Sequence, residues 1–375
     1  MKFKIRKRHA VIAGINALCI AGALALTAAG DHAARAQLYN YSADKWDSSG
    51  GSTQISCFFS EDSGQSVQSV AAIRSALTKA LSDVNLIAED GKSLFTDAYS
   101  TPAGTVQVQS DGYSHSEAEL TVVGGDFFYF RDFRLLSGAF FSEGDFMQDG
   151  AVIDRSLAWN LYGSDNVAGM KLTIQSKDYF ISGVIDTPKN KEEKYCAGDA
   201  PRIYISYEGA AGLGLASALS EAPPPEEGMT PEFSDITLYE VISPDSVENY
   251  SLNTLKKYFG DGDPERLLIV DNTHRFAPSR LAGMFRKRWK NSVINSKLSL
   301  PWWENASRIA EYKLAPVYFF RRLLFIPPVL TVLWLLYLAW LFVSRNKGRF
   351  ISAVIDKIYQ INYKRHMKKK QKEVE

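Results

Sequence analysis

GGDFFYFRDFRLLSGAFFSEGDFMQDGAVIDRSLAWNLYGSDNVAGMKLTIQSKDYFISGVID, residues Gly124–Asp186, is a series of short apolar runs punctuated by glycine. Ala151–Asp154 reads as a short buried strand. Arg155–Tyr162 follows as one amphipathic helix, closed by Gly163, a residue that adopts the left-handed turn at no steric cost. Leu172–Ile174 and Tyr179–Val184 have the length and β-branched content of a hairpin. Gly138 is read as a helix end with positive φ. The many aromatics read as core, and none is assigned to chemistry.

Upstream, Ser52–Ser60 reads as a strand, and Gln65–Val84 places Val70, Ile73, Leu77, Leu81 and Val84 at helical spacing. Extended segments are expected at Leu94–Tyr99, Thr105–Gln109 and Glu117–Val123, separated by Pro, Gly and Ser-Asp-Gly signals. Together these suggest a split βαβ unit. Downstream, EAPPPEEGMTPEF at 221–233 is a Pro- and Glu-rich loop. A strand at Ile236–Ile242, a helix at Ser246–Tyr258 and a strand at Leu267–Val270 follow it. Asp261-Gly262-Asp263 lacks the other ligands of a calcium loop and reads as a turn.

Two uncharged runs flank this body. Residues 10–29 and Leu323–Val343 are each long enough, at about 1.5 Å per residue, to cross the roughly 30 Å hydrocarbon core of a bilayer. The net charge of +1 hides a segregated distribution: +5 over residues 1–9, 17 basic against 37 acidic side chains over 10–272, +9 over 273–322 and +7 over 344–375. The basic N-terminus places residues 1–9 in the cytoplasm. Ala34-Arg35-Ala36 has the pattern of a signal-peptide cleavage site, but the 20-residue apolar run favours a retained helix. Under either reading the body is exported, and the localisation expected is a two-pass plasma-membrane protein with both termini cytoplasmic.

The stretch from Pro278 to Lys290 is basic and helical in pattern, and Arg286, Lys287 and Arg288 are candidate contacts for lipid headgroups or a partner. Trp302 and Trp303 suit a membrane interface or a domain contact. In the tail, Phe350, Val354, Ile355, Ile358 and Ile361 share one helical face beside Lys357, Lys364 and Arg365, an arrangement suited to lying on the inner leaflet. No recognised nucleic-acid-binding fold accompanies the charge, so nucleic acid is not expected as a partner.

The search for chemistry yields little. The chain has no GxxxxGK[ST], GxSxG or HExxH, so it carries no P-loop of its own, and no cofactor or catalytic residue is assigned. His115, Glu117 and Glu119 would share one face of a strand, which a solvated surface explains as well as a metal or acid–base site. Of the three cysteines, Cys57 and Cys196 are either a possible disulfide in the exported body or two buried free thiols. No enzyme is read.

The Gly124–Asp186 block also resembles the extracytoplasmic core domain of MacB-type ABC transporter permeases. The matching pattern is an aromatic pair before Ser137-Gly138, then Phe140-Phe141, Asp145, Ala151-Val152-Ile153-Asp154, Leu157-Ala158, Leu161-Tyr162-Gly163, Val167-Ala168-Gly169 and Phe180-Ile181-Ser182-Gly183-Val184. The resemblance implies an α+β extracytoplasmic domain flanked by two transmembrane helices. It implies a split βαβ subdomain at 38–123 plus 234–272, an inserted mixed α/β subdomain at 124–233 and a basic stalk at 273–322, all within an extracytoplasmic region at 30–322. It further implies a non-catalytic, permease-like subunit driven by a separate ABC ATPase, in company with the membrane and a full-length permease. Such permeases have four spans where this sequence shows two, so an envelope binding or scaffold protein that keeps the core domain without transport is the alternative.

Overall fold

The computed structural model describes residues 7–86, 93–186, 190–211, 213, 236–260, 265–287, 298–346 and 357–361. The chain divides into two compact units, residues 29–319 and residues 1–28 with 320–375. The loop at 221–233, the Asp261-Gly262-Asp263 turn and most of the tail lie outside the described residues.

Ten strands form one sheet: β1 (Ser52–Phe59), β2 (Thr96–Ser110), β3 (His115–Gly125), β4 (Leu135–Gly138), β5 (Gly150–Asp154), β6 (Lys171–Ile174), β7 (Lys177–Ile185), β8 (Arg202–Ser206), β9 (Leu238–Pro244) and β10 (Leu267–Asp271). Their order is β10-β1-β9-β2-β3-β8-β5-β7-β4, and β6 pairs with both β2 and β7. The pairing β2-β3-β8-β5-β7-β6 therefore returns to β2. The segments read as two subdomains contribute adjoining parts of one sheet, joined where β3 runs parallel to β8 and where β6 pairs with β2.

The helices are α1 (Lys7–Arg35), α2 (Ser42–Trp46), α3 (Val67–Asp83), α4 (Phe127–Phe130), α5 (Arg155–Tyr162), α6 (Lys191–Ala197), α7 (Tyr207–Ala210), α8 (Tyr250–Phe259), α9 (Pro278–Lys287) and α10 (Trp302–Arg345). Ser66 caps α3, accepting from the Ser69 amide while Ser69 answers the Ser66 amide, and Val70, Ile73, Leu77 and Leu81 are its buried stripe. α5 starts and stops as its sequence indicates: the Asp154 carboxylate accepts from the Leu157 amide, and Gly163 ends it at φ 68°.

Strand alternation sorts the sheet into two cores. Ile55, Cys57, Phe59, Tyr239 and Val241 face α3 and α8, with Val70, Ile73, Leu77 and Leu255. Phe58, Leu238, Ile242, Val152 and Tyr204 face the other way, against Phe127, Phe130 and Trp303. β1 is buried on both faces throughout, because β10 and β9 flank it and both sides of the sheet are covered.

Two expectations are corrected. The segments read as separate strands at Leu94–Tyr99 and Thr105–Gln109 are one 15-residue strand, β2, with its register shifted between Pro102 and Thr105. The Asp126 amide donates to the Asp97 carbonyl and the Thr237 amide to the Ser100 carbonyl, so even-numbered residues here aim away from β3. Pro102 thus turns its missing N–H toward an edge that β9 has left and β6 has not yet joined, and no ladder bond is lost. Second, Gly138 ends a strand and not a helix. Its φ is +74°, and a Cβ there would stand 2.0 Å from the Ser182 carbonyl oxygen.

Gly163 has a similar positive φ but nothing within 4 Å of its would-be Cβ. Gly163→Ala should cost about 1 kcal/mol, from backbone strain alone. Gly138→Ala, which adds a backbone clash, should cost at least about twice that. Unfolding midpoints of the two variants in detergent separate strain from clash, and equal losses would refute the difference.

Asp154 is buried, its Oδ2 has no hydrogen-bond partner, and burial pushes its carboxyl up to about 6 from 3.8. A raised folded-state value means that the stability advantage is complete below pH 3.8 and lost as pH climbs through 6. Asp154→Asn keeps a cap acceptor and removes the charge, so any packing offset it introduces is independent of pH. Relative to the wild type the variant should gain about 2–3 kcal/mol between pH 3.5 and pH 7; denaturant titrations of both proteins across that range would show a flat difference if the reading is wrong.

Candidate functional site at the base of the long helix

The first turns of α10 carry Glu304, Ser307, Arg308 and Glu311, spaced to share one face of the helix. Trp303, Ala306, Ala310 and Leu314 form a buried apolar stripe beside them. Opposite this polar face, the turn after β10 brings in Arg275, which is 1% exposed. Its guanidinium donates to Glu304 at 2.6 and 2.9 Å and to Glu311 at 3.3 Å, and further to the side-chain oxygens of Asn40 and Asn272, each at 3.3 Å. Burial works against the charge on Arg275, but the two carboxylates outweigh it and hold its pKa above the usual arginine value.

The contacts continue into the sheet. Asn272 donates to the Ser56 hydroxyl at 2.7 Å, and that hydroxyl donates to Glu240 on β9 at 2.8 Å. The other Glu240 oxygen is paired with Arg131. The Arg131 guanidinium lies 4.3 Å from the centre of the Trp303 ring and 5.1 Å from that of Phe127. An unbroken run of polar contacts therefore leads from Arg131, through β9, β1 and the turn after β10, to the base of α10. On the side of α10 nearer residue 319, Leu281 and Ala282 of α9 pack with Ala310, Leu314 and Tyr318, and the Tyr318 hydroxyl donates to Asp31 at 2.7 Å.

The second unit holds the apolar stretches. α1 and α10 are both long and apolar enough to cross a membrane. Asn16 donates to the Thr331 hydroxyl at 3.0 Å, a polar contact between helices of the kind that favours association in lipid. Pro327 and Pro328 lie inside α10, and the Thr331 hydroxyl donates to the Pro327 carbonyl at 2.9 Å.

Of the residues singled out from sequence, Trp303 makes a domain contact, buried under Arg131. Arg286 is exposed on α9, Lys287 is that helix's last residue, and Arg288 lies outside the described residues. Cys57 and Cys196 are free thiols. Cys57 is enclosed in the core that faces α3 and α8, whereas Cys196, on α6, lines a cavity with Trp302 and Trp303, and Trp303 belongs to the opposite core. Burial pushes both thiols up, which disfavours the reactive thiolate. Glu117 accepts from Gln107 at 2.8 Å, Glu119 pairs with Arg202 at 3.1 Å, and His115 is exposed, so the structure does not gather the three into a site. Among the described residues no cluster of His, Cys, Asp or Glu could hold a metal ion. The Arg275 centre escaped the sequence reading, although a signal was present: Glu304 and Glu311 are the two acidic residues in a stretch, 273–322, that holds eleven basic ones.

The geometry defines a mixed α/β domain in a chain with two helices long and apolar enough to cross a membrane. The chain belongs to the MacB-like periplasmic core domain family, whose model matches residues 13–248. Among solved structures it is similar to the periplasmic region of MacB from Actinobacillus actinomycetemcomitans, with 14% identity over 66% of this chain and 98% of that one and a TM-score of 0.39. It is also similar to the extracellular domain of the noncanonic ABC-type transporter YknZ from Gram-positive bacteria, with 11% identity over 58% and 99% of the two chains and a TM-score of 0.36. No curated protein matches the chain.

Arg275→Ala takes the enclosed cation from two buried carboxylates, leaving Glu304 only the partly exposed Arg308 at 2.9 Å and Glu311 only the partly exposed Arg280 at 3.3 Å, and should cost at most about 3–5 kcal/mol. Arg275→Met combined with Glu304→Leu and Glu311→Leu removes the enclosed charges together, leaving the partly exposed Arg280 and Arg308 to solvent, and should cost far less. Denaturant unfolding of the two variants is the check: a triple variant at least as damaged as the single one would show that the charge balance does not govern this centre.

Proposed function

We propose that this chain is a non-catalytic, permease-like membrane subunit of an ABC-type assembly, coupling an extracytoplasmic domain to an ATPase carried on another chain. Family membership supports the class. The observation that carries the coupling role is α10: its residues 302–319 are fixed into the folded body by Trp303, Glu304 and Glu311, and the same helix continues without a break through the apolar stretch 323–343. In this reading both termini are cytoplasmic, 124–233 acts as an inserted subdomain, and Arg286, Lys287 and Arg288 meet lipid headgroups or a neighbouring subunit. A full-length permease is the other membrane partner.

Affinity purification of the tagged full chain in mild detergent should recover a nucleotide-binding subunit or a full permease. Recovery of neither, under conditions that retain a known complex, would refute the assembly. A chain whose residues 10–29 and 323–343 are replaced by unrelated apolar helices should keep its membrane location and lose function. Retained function would support instead the scaffold reading, in which the helices only anchor the domain.

A further inference from the structure

Among the described residues β10 is the terminal strand on its side of the sheet, paired with β1 alone. The Ser60 amide donates to the Arg266 carbonyl and the Asn272 amide to the Gln54 carbonyl, both at 2.9 Å. In an antiparallel ladder the residues that exchange bonds with β1 are then Leu268 and Val270, and the backbone groups of Leu267, Ile269 and Asp271 turn away from the sheet. Edge strands are ordinarily blunted by proline, by an inward-pointing charge or by a covering segment. The sequence of β10, LLIVD, has neither proline nor lysine.

A groove of about 440 Å³ follows this edge. Leu252 and Lys256 of α8 line it on one face of the sheet, and Arg280 of α9 with Arg308 and Tyr312 of α10 line it on the other. Of the acidic groups in the lining, Glu304 is shared by Arg275 and Arg308 and Glu311 by Arg275 and Arg280, so two carboxylates face three arginines, and Asp271 is held by His274 at 3.0 Å. Lys256 is exposed and has no ion-pair partner among the described residues. The groove thus offers main-chain hydrogen-bonding groups, an apolar wall at Leu252 and a cationic rim.

We propose that the open edge of β10 is a strand-addition site for an extended, acidic segment of a partner protein. An added strand would pair with the outward groups of Leu267, Ile269 and Asp271, and its side chains would point alternately to the two walls. Alternating apolar and acidic residues match Leu252 on one wall and the cations on the rim. The edge lies outside the apolar stretches, and the proposal stands or falls independently of any ATPase partner.

The test uses the full chain in lipid nanodiscs and a fluorescent octapeptide of alternating valine and glutamate, with binding followed by anisotropy. Saturable binding is expected. It should weaken about tenfold when lysine replaces glutamate, and by a similar factor when the peptide backbone is N-methylated along one edge. Ile269→Pro removes an outward N–H that the sheet does not use and should weaken binding about tenfold. Lys256→Glu, at an exposed helix position, should weaken the glutamate peptide and strengthen the lysine peptide. Equal binding of the two peptides, indifference to both substitutions, or no saturation up to about 1 mM would overturn the proposal. A chain dimer that Ile269→Pro dissolves, without peptide binding, would assign the edge to a second copy and overturn it as well.

Discussion

A guanidinium cannot shed its charge inside a protein, so once Arg275 is enclosed something must answer it. Glu304 and Glu311 do so, and because both belong to α10 the requirement fixes that helix in rotation and in height. Each carboxylate would in turn be costly to bury without the arginine. Such a centre adds little net stability over an apolar one of the same shape, but it tolerates few alternative arrangements. Apolar packing of Trp303, Ala306 and Ala310 would accept a small slide of the helix; the Glu304 pair, at 2.6 and 2.9 Å, would not. Arg131 plays the corresponding part deeper in the sheet, held between Glu240 and the face of Trp303.

Much of the fold was legible because local signals and tertiary demand agree. The α5 helix with its Asp154 cap and Gly163 stop, the apolar stripe of α3 and the β6–β7 hairpin all follow from residues within a few positions of one another. What could not be read depends on contacts between distant parts of the chain. Pro102 and Gly104 look like a strand break, and they are tolerated within β2 only because β9 and β6 use different lengths of the same edge. Gly138 was recognised as a positive-φ position, but whether a helix or a strand ends there depends on the approach of Ser182 from β7. The ionic centre joins residues 40, 272, 275, 304 and 311, and no period in the sequence links the turn after β10 to α10. Only the isolation of two acids among many bases hinted at it.

The apolar helices obey a different solvent. In lipid the main chain must satisfy itself, and polar side chains seek partners across helices or along their own backbone. Asn16 and Thr331 illustrate the first course, Thr27 bonding back to the Ala23 carbonyl at 2.8 Å the second. Gly22 belongs with them: a Cβ there would sit 3.2 Å from Leu324, so the absent side chain lets α1 and α10 approach within this unit.

The sheet is also uneven under load. In the part where β6 joins β7 to β2, each of the six strands in the returning ladder has a neighbour on both sides, and none can peel away without breaking two sets of bonds. At the other end β10 is held, among the described residues, by β1 alone, and Arg275 follows it by only four residues. Glu304, Arg275 and Asn272 thus tie the base of α10 to this end of the sheet.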